Sequence, residues 1–162
     1  MPPRDRLHRQ PGDGWVEWRC GRRHWGLFGA AGLLLVRRGA DGGASHVVLQ
    51  HRATWSDQGG TWALPGGAVA PGETAVQGAL REAHEEAGID PSSVAVRGEH
   101  VLAHPDWTYT TVLADEAGHV TPAVTDAEST AVEWVPVDEV DQRPLLAAFA
   151  DAWPELLTRI SR

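Results

Sequence analysis

A chain of 162 residues with 42% hydrophobic and 22% charged side chains has the composition of one folded domain with a sizeable core, not of a disordered segment. Its formal net charge of −8 excludes broad, sequence-blind binding to a nucleic-acid backbone, which needs a basic surface. Small phosphate ligands stay open, because a metal ion offsets an acidic site locally. The single cysteine, Cys20, excludes an internal disulfide framework and a thiolate zinc cluster.

Residues 1–14 carry prolines, glycines and charges and read as a mobile leader, with the folded domain over residues 15–162. The leader has no apolar core of a secretory signal, and no stretch reaches the length of a membrane span, so a cytoplasmic setting is expected. Trp15 to Trp18 alternates apolar and polar residues and predicts a short first strand. Ala30 to Arg38 is an apolar run ending in charge, a buried strand. Ala40 to Ser45 is a turn by composition, and His46 to Arg52 is the returning strand of a hairpin. The loop-rich stretch that follows holds at most a brief strand, Thr61 to Leu64. A helical pattern runs from Thr74 to Ala87, then two strands within Ser93 to Asp115 and another over Ala131 to Val137. Pro144 to Ile160 is helical by its apolar spacing, with Pro154 expected to break or kink it. Strands flanking one central helix, with a second helix at the end, predict an α/β (α+β) fold with helices on a mixed sheet.

The central helix carries its own punctuation. Thr74 and Gln77 form a capping-box pattern, and Gly88 stands where a left-handed residue ends a helix. Val76, Ala79, Leu80, Ala83 and Ala87 recur at helical spacing and predict one buried face. Gly78 costs about 1 kcal/mol against Ala in a helix interior and is read as a point of close packing. Glu82, Glu85 and Glu86 fall on one arc beside that face. At a separation of about 6 Å and an effective dielectric of about 20, each pair repels by on the order of 3 kcal/mol. A solvated surface relieves that cost, and so does a hard divalent cation with oxygen ligands. The helix alone favours the solvated surface. The preceding Leu64 to Glu73 shifts the balance: Gly66 and Gly67 permit close backbone approach, and Pro71-Gly72 turns the chain back over the helix start.

Gly67, Glu73 and the run Arg81-Glu82-Ala83-His84-Glu85-Glu86-Ala87-Gly88-Ile89 together resemble the Nudix box, with every charged and glycine position of that signature filled. Ala83 departs, standing where the family usually has a larger aliphatic residue. The resemblance implies the Nudix fold, a mixed β-sheet sandwiched between α-helices. It also implies that Glu82, Glu85 and Glu86 bind Mg²⁺, or Mn²⁺ as a substitute, assisted by the Gly67 carbonyl. Arg81 would orient a glutamate, and Glu73 would support the metal site. A glutamate of the box or downstream would deprotonate the attacking water. Glu128 is the downstream candidate by analogy, against the competing reading of an ordinary surface acid.

For substrate contact the candidates are Arg52, whose fork suits a phosphate, and Trp62 and Trp55, which lie in the segment leading to the box. A surface arginine and packing tryptophans are the competing readings. Segments around Gly29 to Arg38, Val47 to Gly67 and Trp107 to Asp115 are similar to a MutT-like subgroup. That likeness implies cleavage of a (deoxy)nucleoside triphosphate, with the 8-oxo-guanine form as a candidate, to a monophosphate and pyrophosphate. Pro105 stands where a proline marks ADP-ribose-cleaving relatives, so an ADP-ribose pyrophosphatase is the alternative. A non-catalytic Nudix ligand sensor is a third reading, although such modules usually lack box glutamates. The expected partner is a nucleotide, with no nucleic acid and no membrane, on a monomer or homodimer.

Overall fold

A computed structural model of the chain describes residues 15–17, 23–25, 29–53, 59–105, 107–125, 127 and 129–161. The leader, Trp55, Asp126 and Glu128 lie outside the described residues. In chain order the elements are β1 (Trp15–Glu17), β2 (Arg23–Trp25), β3 (Ala30–Arg38), β4 (Ala44–Arg52), β5 (Trp62–Ala63), β6 (Gly66–Ala68), α1 (Ala75–Ala87), β7 (Val94–His104), β8 (Trp107–Glu116), β9 (Ser129–Pro136) and α2 (Ala147–Ile160). Short 3₁₀ turns occupy Pro91–Ser93 and Val140–Gln142. No helix among the described residues is long and apolar enough to cross a membrane.

β1 and β2 pair with each other as a separate antiparallel ribbon. The main sheet has the order β5-β4-β3-β8-β7, with β6 added to β3 and β9 to β4. It is mixed, because β3 runs parallel to β8 from Ala30 opposite Tyr109 to Val36 opposite Asp115, while its other pairings are antiparallel. β3 divides its second edge between two partners. Ala30 to Gly32 pair with β6, and Val36 to Arg38 pair with β4. Between them, the Leu33 amide donates to the Pro65 carbonyl at 2.9 Å. The segment that carries the glycines of the box is thereby sewn onto the central strand.

Alternation along the strands divides the core between two faces. Leu33, Leu35, Val48, Val112 and Ala114 pack with Ala79, Ala83 and Ala87 of α1. Leu34, Val36, Val47, Leu49, Leu113 and Val135 pack with Phe149, Trp153, Leu156 and Ile160 of α2. The sheet is therefore sandwiched between the two helices. α2 runs uninterrupted through Pro154, so of the break or kink expected there the break does not occur, and it begins at Ala147, later than expected. Trp153, Leu156 and Ile160 are buried on its sheet-facing side. β4 begins two residues before its expected start, and β2 and β6 were not expected at all.

Candidate active site

α1 starts and stops where its sequence dictates. Thr74 caps it reciprocally with Gln77, at 3.1 Å from the Gln77 amide to the Thr74 hydroxyl and 2.9 Å in return. Gly88 ends it in the left-handed region at φ 66°. Its last carbonyls are satisfied by the 120–125 segment: the Ala123 amide donates to Ala87 at 2.9 Å, and the Thr125 amide to Glu86 at 3.4 Å. Gly78 is a close-packing point, since a Cβ there would stand 3.1 Å from Glu73 Oε1 and 3.3 Å from Val69 Cγ2.

The acidic arc is not a solvated face. Glu82 and Glu86 are buried, at 8% and 5% relative exposure, in register with the apolar positions Ala79, Ala83 and Ala87. The expectation that all three glutamates lie beside the buried face holds for Glu85 only, which is exposed. Burial pushes the Glu82 carboxyl above the usual carboxylate range, opposed by a hydrogen bond to Glu86 and by Arg81. The Gly66 amide approaches Glu86 Oε2 at 3.4 Å.

Gly67 lies against Glu82. A Cβ on it would stand 2.8 Å from Glu82 Cδ and within 3.0 Å of both carboxyl oxygens, so any side chain there would have to push the Glu82 carboxyl aside. Gly66 is constrained from the other side, where a Cβ would lie 2.5 Å from the Ala31 carbonyl oxygen. The glycine pair is thus a strand that approaches both its neighbour and the acidic helix more closely than any side chain allows.

Arg81 ties the acids together. Its Nε and Nη2 donate to the two oxygens of Glu73 at 2.8 and 3.0 Å, Nη1 donates to Glu82 at 2.9 Å and to Glu85 at 3.3 Å, and Nη2 also reaches the Ala68 carbonyl at 3.0 Å. The fork, above all its bond to Glu73, holds the Arg81 guanidinium more firmly protonated and holds the Glu73 carboxyl below its ordinary value. The Ala70 amide donates to Glu73 at 2.8 Å, closing the turn over the helix start. One cation thereby neutralises part of the repulsion that the sequence predicts.

The donor set is chemically suited to a hard divalent cation: two buried carboxyls side by side, an exposed third carboxylate, and a glycine with no side chain in the way. Among the described residues, no three acidic, histidine or cysteine groups already converge at metal-ligand spacing. Glu85 is turned toward Arg81 instead.

Arg52 ends β4 at a bulge opposite Ser129, and its charge acts on Tyr109. Trp62 on β5 is tilted against His51, with ring centroids 4.9 Å apart, and carries the Arg143 guanidinium 4.4 Å from its ring centre. Pro105 is exposed in the turn between β7 and β8. The sequence reading missed Tyr109, the one tyrosine of the chain. Its position in a strand gave no chemical signal. Although the residue is half-buried, its hydroxyl is enclosed, and burial foremost, then the Glu86 charge, pushes it up to about 12.

A fold of this topology, with a glycine strand laid on a buried glutamate pair, defines a class, and comparison with known proteins agrees. A family model described as NUDIX domain matches residues 27–157, and the chain belongs to the Nudix hydrolase family. It is 50% identical over 163 residues, 99% of its length, to a nucleoside triphosphate pyrophosphatase/Nudix hydrolase fusion protein of Bifidobacterium longum, of which it spans only 34%. It is 47% identical over 156 residues to a "Putative 8-oxo-dGTP diphosphatase 3" of Mycobacterium tuberculosis, covering 93% of this chain and 71% of that protein. Among solved structures, RenU, a Nudix hydrolase from M. smegmatis, superposes with a TM-score of 0.81 at 45% identity, covering 91% of this chain and 94% of that one.

Proposed function

We propose that this chain is a Mg²⁺-dependent hydrolase that cleaves a phosphoanhydride bond in a nucleoside triphosphate, with 8-oxo-dGTP the leading candidate. The observation that carries the reading is the buried Glu82–Glu86 pair under the Gly66-Gly67 strand, beside the Arg81 fork. Two carboxyl groups buried side by side are a costly arrangement, and a divalent cation between them relieves it. Glu82, Glu86, Glu85 and the Gly67 carbonyl are the groups that would hold Mg²⁺ or Mn²⁺. When bound, the metal supplies charge neutralisation at the phosphate oxygens and a lowered pKa for a coordinated water.

The chain's own residues do the rest. Arg81, locked by Glu73 and the Ala68 carbonyl, fixes the orientation of Glu82. The burial of Glu82 and Glu86 keeps bulk water from most of their carboxyl surface. Arg52 takes the phosphate chain distal to the glutamates. Water adds to phosphorus, the bridging P–O bond breaks, and pyrophosphate leaves with the electron pair. The water's proton passes to a glutamate, for which Glu86 and Glu128 are the candidates. The substrate assignment rests on the similarity to the mycobacterial relative, a putative 8-oxo-dGTP diphosphatase. The test is a side-by-side panel of nucleoside triphosphates, 8-oxo-dGTP, CTP and ADP-ribose, with Mg²⁺, Mn²⁺ or chelator, read as pyrophosphate or phosphate release. Metal-dependent turnover of a nucleoside triphosphate supports the reading. Turnover of ADP-ribose alone transfers the protein to the other substrate class, and no turnover at all removes the enzymatic reading.

A further inference from the structure

The end of the sheet remote from the glutamates gathers positive charge. Arg38 closes β3, Arg97 stands on the edge strand β7, and Arg159 lies in the last turn of α2. With Asp115 of β8 they line a cavity of about 120 Å³, and the buried Val36 and Leu113 complete the lining. Two irregularities of the sheet mark this end. The pairing of β3 with β4 shifts between Arg37 and Arg38. The pairing of β7 with β8 shifts between Val96 and Gly98, so Arg97 is the extra residue of a bulge, a device that re-aims a side chain. Arg97 thereby meets Asp115, and Arg38 reaches the Ile160 carbonyl at the end of α2.

One carboxylate here serves three guanidinium groups. Arg38 Nε donates to Asp115 Oδ1 at 3.2 Å, and Arg97 Nε donates to Oδ2 at 2.9 Å. Arg159 Nη1 donates to the Glu99 carbonyl at 2.7 Å and has no acidic partner among the described residues. Glu155, one turn earlier on α2, is engaged with His100 at 3.1 Å instead. Both terminal nitrogens of Arg97, and Nη2 of Arg159, are left without an acceptor among the described residues. The cavity therefore holds a surplus of positive charge and of N–H donors in a chain whose net charge is −8. Guanidinium forks from separate elements suit an oxyanion with several acceptor oxygens, and phosphate is such an oxyanion. A water takes about 30 Å³ of liquid, so the space is on the scale of one or two phosphate groups and too small for a nucleoside.

We propose that this cavity is a metal-independent phosphate site, in which Arg97 and Arg159 donate to the oxygens of a phosphate group while Arg38 and Asp115 hold the base of the site. The phosphate is free, as inorganic phosphate or pyrophosphate, or it is the end of a larger molecule whose remainder stays outside. The site is separate from the glutamates. Gly32 pairs with Gly66 beside the box, and Arg38 lies six strand residues further on, about 20 Å at a rise of about 3.3 Å each. It does not depend on the function proposed above.

The test titrates the full-length protein with inorganic phosphate, pyrophosphate or an α,β-imido deoxynucleoside triphosphate, with chelator present so that no metal carries phosphate to the glutamates. By ¹⁵N NMR the amides of Gly98 and Ile160 should shift, and those of Gly66 and Gly67 should stay in place. Arg97→Ala and Arg159→Gln should each weaken binding about tenfold, the size expected for a lost hydrogen bond between charged groups. Arg97 is 66% exposed and both variants keep Arg38 on the end of α2, so the spectra of both should remain those of the folded protein. Glu86→Gln should bind phosphate as the wild type does. Equal affinity for phosphate and pyrophosphate supports a site for the free ion, and affinity at least tenfold higher for the nucleotide analogue supports one for a phosphate carried on a larger molecule. Absence of shifts at Gly98 and Ile160 up to about 10 mM ligand would overturn the proposal. So would shifts at Gly66 and Gly67 alone, or undiminished binding when Arg97 and Arg159 are replaced together.

Discussion

Removing Arg81 tests the clamp at its centre. Arg81→Ala deletes a two-pronged bond to Glu73, single bonds to Glu82 and Glu85, and a bond to the Ala68 carbonyl. It leaves Glu82 buried with its neighbours Glu85 and Glu86 and no opposing charge from this source. Breaking a fully buried ion pair costs roughly 3–5 kcal/mol. The Arg81 side chain keeps 27% of its surface exposed, which places the loss at the lower end, about 3 kcal/mol. For a chain of this size each kcal/mol moves the melting temperature by about 2–4 °C, so calorimetry should show a fall of roughly 6–12 °C. The pH dependence has a definite sign. The Glu73 carboxyl is held below its ordinary value of 4.5, so its share of the stability is present above that pH and disappears as pH falls through the folded value. The gap between wild type and Arg81→Ala should therefore narrow on acidification. Millimolar Mg²⁺ should recover part of the loss, because a second cation replaces the first. A fall below about 2 °C at neutral pH, or a gap that widens in acid, would refute the clamp.

Glu86→Gln should lower turnover by orders of magnitude with the fold intact by circular dichroism; surviving activity, measured as pyrophosphate release, would reject its place in the site. Gly67→Ala forces a methyl to within 3.0 Å of the Glu82 carboxyl oxygens and should weaken Mn²⁺ binding at least tenfold in a paramagnetic titration, whereas wild-type affinity would show that the close approach is dispensable. Trp62→Ala should raise KM more than it lowers kcat if the ring walls the nucleoside, and an unchanged KM would reject that role. Thr74→Ala removes the capping hydroxyl from the Gln77 amide and should cost about 1 kcal/mol by denaturant titration, with no change in metal affinity.

Much of this site was readable from residue order because its determinants are local. The cap at Thr74, the left-handed stop at Gly88 and the apolar spacing of Ala79, Ala83 and Ala87 act within one helix, and α1 forms where they place it. The strand β6 was not readable. Gly66-Gly67-Ala68 has no intrinsic preference for extended structure, and its pairing is imposed by Ala30 to Gly32, far back in the chain. The burial of Glu82 and Glu86 was hidden for a related reason. Helical angle alone sets them beside the apolar face, and the glycine strand that covers them comes from a different part of the sheet. Pro154 misled in the other direction. Its helix is carried by tertiary packing of Phe149, Trp153 and Leu156 against the sheet, which outweighs one missing amide.

The sewing of Gly66 to Ala68 onto β3 makes the spacing of this segment a matter of parity. A flexible connection tolerates an extra residue by bulging, but a strand paired on one edge has a two-residue repeat, and a single insertion reverses which way every following group faces. Length changes should therefore be accepted in the turn at Asp41-Gly42, which joins β3 to β4 away from the glutamates, and rejected within the paired stretch Gly66 to Ala68. A library of single-codon insertions selected for activity would display that boundary directly.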